Sequence, residues 1–185
     1  MAPSYAPRAT LTTMTNELDR LGSVHAAFDG LQGRVARREP WPLASTFGTE
    51  PEASWGPREV LAHVAEMLPF WLGELERVVE GTPGGGPTAF GRLADDPIRI
   101  GSLERDRTLP LRVLFERIDA GLHTWMGRLD SLTDDERARP GLHPRLGEMP
   151  AGGILERFVL GHAEEHVAQL EAILTEAPKR DAHPA

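Results

Sequence analysis

Residues 158–170 read Phe158-Val159-Leu160-Gly161-His162-Ala163-Glu164-Glu165-His166-Val167-Ala168-Gln169-Leu170. Leu155, Val159 and Leu170 recur with the 3.6-residue period of an amphipathic helix, and His162 and His166 continue the same stripe. A helix is therefore expected from Gly152 to Ala177, where Pro178 stops it. A face that alternates aliphatic residues with two histidines four apart must be buried against other helices, and both imidazoles then point inward.

Working outward, the same period recurs three times. Met14, Leu18, Leu21, Val24, Phe28, Leu31 and Val35 predict a first helix over 11–37, ended by Glu39-Pro40-Trp41-Pro42. Val60, Leu61, Val64, Met67, Leu68, Trp71, Leu75 and Val78 predict a second from Pro57 to Glu80, with Gly56 as N-cap and Gly81 at its end. Leu111, Leu114, Phe115, Ile118, Leu122, Trp125 and Leu129 mark a third from about Thr108 to Leu129. Thr133-Asp134-Asp135-Glu136 has capping-box spacing and predicts a short extra helix before Pro140. The expectation is an all-α four-helix bundle over 10–177, with flexible termini at 1–9 and 178–185 and no sheet of three or more strands. The connection from Gly81 to Arg107 is too long for a hairpin, so it crosses an end of the bundle or covers a pocket.

A chain of 185 residues fits one domain and buries a core without covalent staples. Cysteine is absent, which excludes disulfides, a cysteine nucleophile, iron–sulfur centres and thiolate zinc sites. The net charge of −8 and the lack of a basic run argue against nucleic acid as a partner. No stretch of 18 apolar residues suggests a membrane span, and Met1–Thr13 lacks the pattern of a secretory signal, so a cytoplasmic protein is expected. Apolar area on bundle faces leaves a homodimer open.

One helical turn separates His162 from His166, so the two rings can share one ion. Two ligands make a weak site, and a third should come from another helix. Spacing favours His63, close to Val60, Val64 and Met67, over His25 and His123, without deciding among them; His143 and His183 fall in loop or tail. Glu66 and Glu165, each one turn from a histidine, are candidates to orient an imidazole proton or to move a substrate proton. Arg58, Arg105, Arg107 and Arg112 are candidates for a substrate carboxylate, and Trp41, Phe47 and Trp55 for closing a pocket or packing a loop.

Trp55-Gly56-Pro57-Arg58-Glu59-Val60-Leu61-Ala62-His63-Val64-Ala65 resembles the opening of the second helix in the DinB/YfiT-like superfamily, and Gly161-His162-Ala163-Glu164-Glu165-His166-Val167-Ala168-Gln169-Leu170 resembles its final-helix signature. The resemblance covers about Thr10 to Ala177. It implies an up-down-down-up bundle with three histidines around one divalent ion and an open coordination position. Carried to this chain, the ligands are His63, His162 and His166, with zinc or nickel suited to the nitrogen set. The superfamily includes S-transferases and maleylpyruvate isomerases that use low-molecular-weight thiols such as mycothiol or bacillithiol. The expected function is therefore thiol-dependent transfer to a small electrophile, with a metal-dependent hydrolase or a non-enzymatic metal-binding stress protein as alternatives.

Two other motifs compete. His162-Ala163-Glu164-Glu165-His166 matches the H-x-x-E-H order of an inverted zinc peptidase, but the mixed architecture of such enzymes is missing. A ferritin-like dimetal site needs paired E-x-x-H segments, and none occurs.

Overall fold

The computed structural model describes residues 9–44, 52–81 and 84–176, with side chains of the first helix from Asn16 onward. Helix α1 spans Ala9–Ala36 and buries Leu21, Val24, Phe28, Leu31 and Val35. A single 3₁₀ turn, Glu52–Ser54, leads into α2, Pro57–Val79, which starts on Pro57 after the extended Gly56. Helix α3, Pro97–Asp106, precedes α4, Leu111–Ser131, whose seven apolar stripe residues are all buried. Helix α5, Asp134–Arg137, carries both hydrogen bonds of the capping box between Thr133 and Glu136. The last helical run begins as α6, Gly152–Leu155, widens into a π-turn over Glu156–Leu160, and continues as α7, Gly161–Glu176.

Helix α4 packs against both α1 and α2, and α7 packs against the same two, which closes the ring around the core. Gly121 lets α4 approach α2, because a Cβ there would lie 3.0 Å from two Leu68 atoms. Inside α2, Pro69 offers no amide to the Ala65 carbonyl one turn before it. Trp125 is fully buried and its indole N–H donates to the Leu68 carbonyl at 2.9 Å. Arg20 of α1 clasps Glu156 and Glu164, and Arg34 clasps Glu171, so a row of ion pairs fastens α1 along the last helical run.

The expectation of a bundle free of sheet is corrected. Strands β1 (Thr88–Ala89), β2 (Pro140–His143) and β3 (Gly147–Pro150) form a three-stranded sheet in the order β1-β2-β3. β1 runs parallel to β2 with Thr88 opposite Gly141, and β2 runs antiparallel to β3 with Gly141 opposite Met149. The cause is local: two loops cross together beside α2 and α6, and pairing satisfies backbone groups that packing removes from water. Gly141 makes that approach feasible, since a Cβ there would meet the Phe90 ring at 2.8 Å and Val78 at 3.1 Å. The fold is thus predominantly helical with a small sheet, and His162 and His166 both lie in α7.

The long connection also holds α3, which the apolar period missed. Asp96 caps it by accepting the Arg99 amide at 2.9 Å, and Pro97 takes the first helical position. Phe47 and His183 lie outside the described residues.

Candidate metal centre

His63 stands in the second turn of α2, where its neighbours Ala62 and Val64 are fully buried, and its own ring is nearly so. His162 and His166 reach it from α7. His162 Nε2 lies 2.8 Å from His63 Nε2 and 3.0 Å from His166 Nε2, so three ring nitrogens from two helices converge. The Glu52 carboxylate joins them from the 3₁₀ turn, at 3.4 Å from His162 Nε2 and 3.7 Å from each of the other two. Trp55 packs edge-on against His63, ring centres 5.4 Å apart.

Hydrogen bonds fix what these atoms offer. Gln169 Nε2 donates to the Glu52 backbone carbonyl at 2.6 Å, which leaves Gln169 Oε1 to accept from His166 Nδ1 at 2.9 Å. His166 therefore keeps its proton on Nδ1 and presents a bare lone pair at Nε2. Arg99, itself buried, donates to Glu52 Oε1 at 2.8 Å and orients the carboxylate. His63 Nδ1 is buried without a partner among the described residues. A single proton on His162 Nε2 can serve only one of its two neighbours. The centre holds more acceptors than protons, and a cation resolves that excess. Tetrahedral nitrogen ligands about 2.0–2.1 Å from zinc stand roughly 3.4 Å apart, a few tenths of an ångström wider than the spacing here. The donor set fits a divalent ion.

Burial holds the His63 imidazole well below its ordinary pKa, and the neighbouring His166 and His162 push in the same direction. His166 is lowered for the same reasons, burial first and His162 next. Lone pairs are thus free for a Lewis acid at neutral pH. The linkage has a definite sign. Above about pH 6.5 these rings are neutral folded and unfolded, and no pH dependence arises from them. Below it the unfolded chain takes up protons that the folded chain refuses. The metal-free protein is expected to lose about 1.4 kcal/mol per pH unit for each histidine that stays neutral. Thermal melts at pH 8, 6 and 5 check this, and replacing His63 with Gln should flatten the curve.

The other sequence candidates fall elsewhere. Both carboxylate oxygens of Glu66 accept from Arg92, at 2.5 and 2.7 Å. Glu165 sits at the rim with its side chain 79% exposed, its nearer oxygen 3.9 Å from His162 Nδ1, beyond a hydrogen bond. His25 bonds Asp119 at 2.6 Å beside His123 on the α1–α4 face, away from the centre. His143 ends β2 and stacks on Phe158. Arg58, Arg105, Arg107 and Arg112 tie to Glu39, Asp106, Glu59 and Glu116, and none lines the cavity beside the centre. Trp41 donates to the Val35 carbonyl and packs its loop on α1.

Sequence reasoning missed Glu52, Arg99 and Gln169. Gln169 carried the available signal, three residues after His166 on the same helical face. Glu52 precedes its helix in a loop, where no period marks it. A cavity of about 620 Å³ opens beside His162, bordered by Arg92, Arg145, Arg157 and Phe158, and a recess of about 230 Å³ continues to His63 and Glu52.

No curated protein and no solved structure matches the chain. The family model described as the DinB superfamily matches residues 9–170. Among the described residues, that span takes in all seven α-helices but the end of the last, together with every residue of the histidine–glutamate centre, and the chain belongs to the DinB superfamily.

Proposed function

We propose that this single-domain chain, over 10–177 in up-down-down-up order, is a cytoplasmic divalent-metal-dependent S-transferase that joins a low-molecular-weight thiol to a small electrophile. His63, His162 and His166 hold zinc or nickel. The observation that carries the reading is the convergence of three Nε2 atoms, 2.8 and 3.0 Å apart, at the inner end of an open cavity. A bound ion of this kind supplies the Lewis acidity that keeps a thiol or a water deprotonated at neutral pH. Glu52, held by Arg99, is the nearest carboxylate to the histidine set and takes up the thiol proton. Glu165, at the rim, passes that proton to solvent, and Glu66 serves as the counter-ion of Arg92. The chain has no cysteine of its own, so the thiol comes from outside, and the reducing cytosol is where free thiols persist. No described helix is long and apolar enough to cross a membrane.

The test is a panel of cysteine-derived thiols with monobromobimane, run on untagged protein as purified, after chelation, and after zinc or nickel is restored. Thiol-dependent adduct formation that vanishes on chelation and returns with metal is the expected result. Hydrolysis of ester or amide substrates without any thiol requirement would replace the transferase reading with a hydrolase. A folded protein that holds no metal at micromolar supply would overturn both.

A further inference from the structure

The cavity beside His162 carries cations that the metal centre does not use. The chain is acidic overall, at −8, and most of its arginines are engaged: Arg92 with Glu66, Arg99 with Glu52, Arg20 with Glu156 and Glu164. Among the described residues, only the Arg37, Arg145 and Arg157 guanidiniums have neither a carboxylate nor a carbonyl partner. Two of these three line the 620 Å³ cavity, and the same two line the recess that leads to His63 and Glu52. Their positions are built. Arg145 sits in the turn between β2 and β3, where its amide and that of Leu146 both donate to His143 Nδ1 at 3.2 Å. Arg157 belongs to the π-turn immediately before α7, the helix that carries His162. Of the acids that border the cavity, Glu156 is neutralised by Arg20, and Glu165 stands exposed at the rim.

The wall between the arginines is apolar. Phe158 stacks on Trp71 with ring centres 4.1 Å apart, and His143 stacks on Phe158 at 5.0 Å. Leu93 and Leu146 border the cavity while 45% and 40% exposed, so they add apolar surface to its wall. Two unpaired guanidiniums over an aromatic and aliphatic wall match one class of ligand, since Arg forks bind carboxylate and phosphate oxygens in pairs.

We propose that this cavity binds an anionic small molecule with an apolar body, its carboxylate, phosphate or sulfonate held by Arg145 and Arg157 and its body laid against Phe158, Leu93 and Leu146. The inference rests on the metal-dependent reading for the ligand's part in a reaction, and stands apart from it for binding.

The experiment titrates 1-naphthoate, 1-naphthyl phosphate and neutral 1-naphthamide into the protein by calorimetry, once chelated and once zinc-loaded. In the chelated protein the two anions are expected to bind at least tenfold more tightly than the amide. The Arg145→Gln/Arg157→Gln protein should lose about 10–50-fold of anion affinity and little for the amide, while Arg37→Gln changes neither. Raising the salt concentration should weaken only the anions. Both substituted arginines are exposed, and circular dichroism confirms that the variants fold. Equal affinity for anion and amide would overturn the proposal. So would an anion preference that appears only with zinc and survives loss of both arginines, because the anion then sits on the metal. Failure of zinc binding with the chelated result intact would sink the metal reading alone.

Discussion

Zinc affinity of the His162→Ala protein is expected to fall by roughly 10²–10³-fold, with the helical content unchanged. Structural zinc sites of about four ligands bind with about 10–16 kcal/mol, so one ligand accounts for roughly 2.5–4 kcal/mol. His162 is the sharpest choice because its Nε2 touches both other ring nitrogens, at 2.8 and 3.0 Å, while its side chain is 30% exposed. Removing it leaves little void in the core. His63→Ala and His166→Ala should weaken zinc by a similar factor, with some loss of stability because both rings are buried. Gln169→Leu removes the acceptor that fixes the His166 tautomer, and a loss of about 10–100-fold is expected. His143→Ala and His183→Ala should leave zinc affinity where it was. Competition with a chromogenic chelator measures all six proteins. Unchanged affinity in the folded His63, His162 and His166 variants would reject the ligand set.

The largest expected loss of stability comes from Trp125→Ala, at about 3–5 kcal/mol. Trp125 is 0% exposed on α4 and fills the space facing α2. Its truncation opens a cavity and deprives the Leu68 carbonyl of a donor close to the proline in α2. For a chain of this length that corresponds to a melting temperature lower by about 6–20 °C. Trp125→Phe keeps most of the volume and loses the hydrogen bond, so it should cost much less. A drop under about 2 °C for the alanine variant, by calorimetry, would show that the core closes over the gap.

What the sequence made legible follows from periodicity. Every stripe residue of α4 is buried, and Pro57 and the Gly81 region bound α2 close to where their chemistry demands. His162 and His166 lie on such a stripe and could be paired from their spacing alone, whereas His63 was singled out from His25 and His123 only by the family resemblance. The strands had no comparable signature. β1 has two residues, β2 starts on Pro140 and β3 ends on Pro150, lengths at which alternation cannot be recognised. Helix α3 is polar and short, and its only announcement was Asp96-Pro97. Glu52 and Arg99 reach the centre because tertiary packing brings a loop and α3 over the end of α2. Arg145 and Arg157, like the rest of the cavity wall, depend on where the sheet and the π-turn fall.

That π-turn has an evolutionary reading. A helical turn closed five residues apart holds one residue more than the α-helix on either side of it, as if a single codon had been inserted into an older, uninterrupted helix. Each residue advances the helix face by about 100°. Without the extra residue, His162 and His166 would keep their mutual spacing but swing away from His63 relative to the face fixed by Ile154 and Leu155. Arg20 would also lose its reach to Glu156 and Glu164 together, since Glu156 opens the wide turn and Glu164 lies beyond it. A family signature in this last helix is therefore meaningful only together with the length of the segment that precedes it.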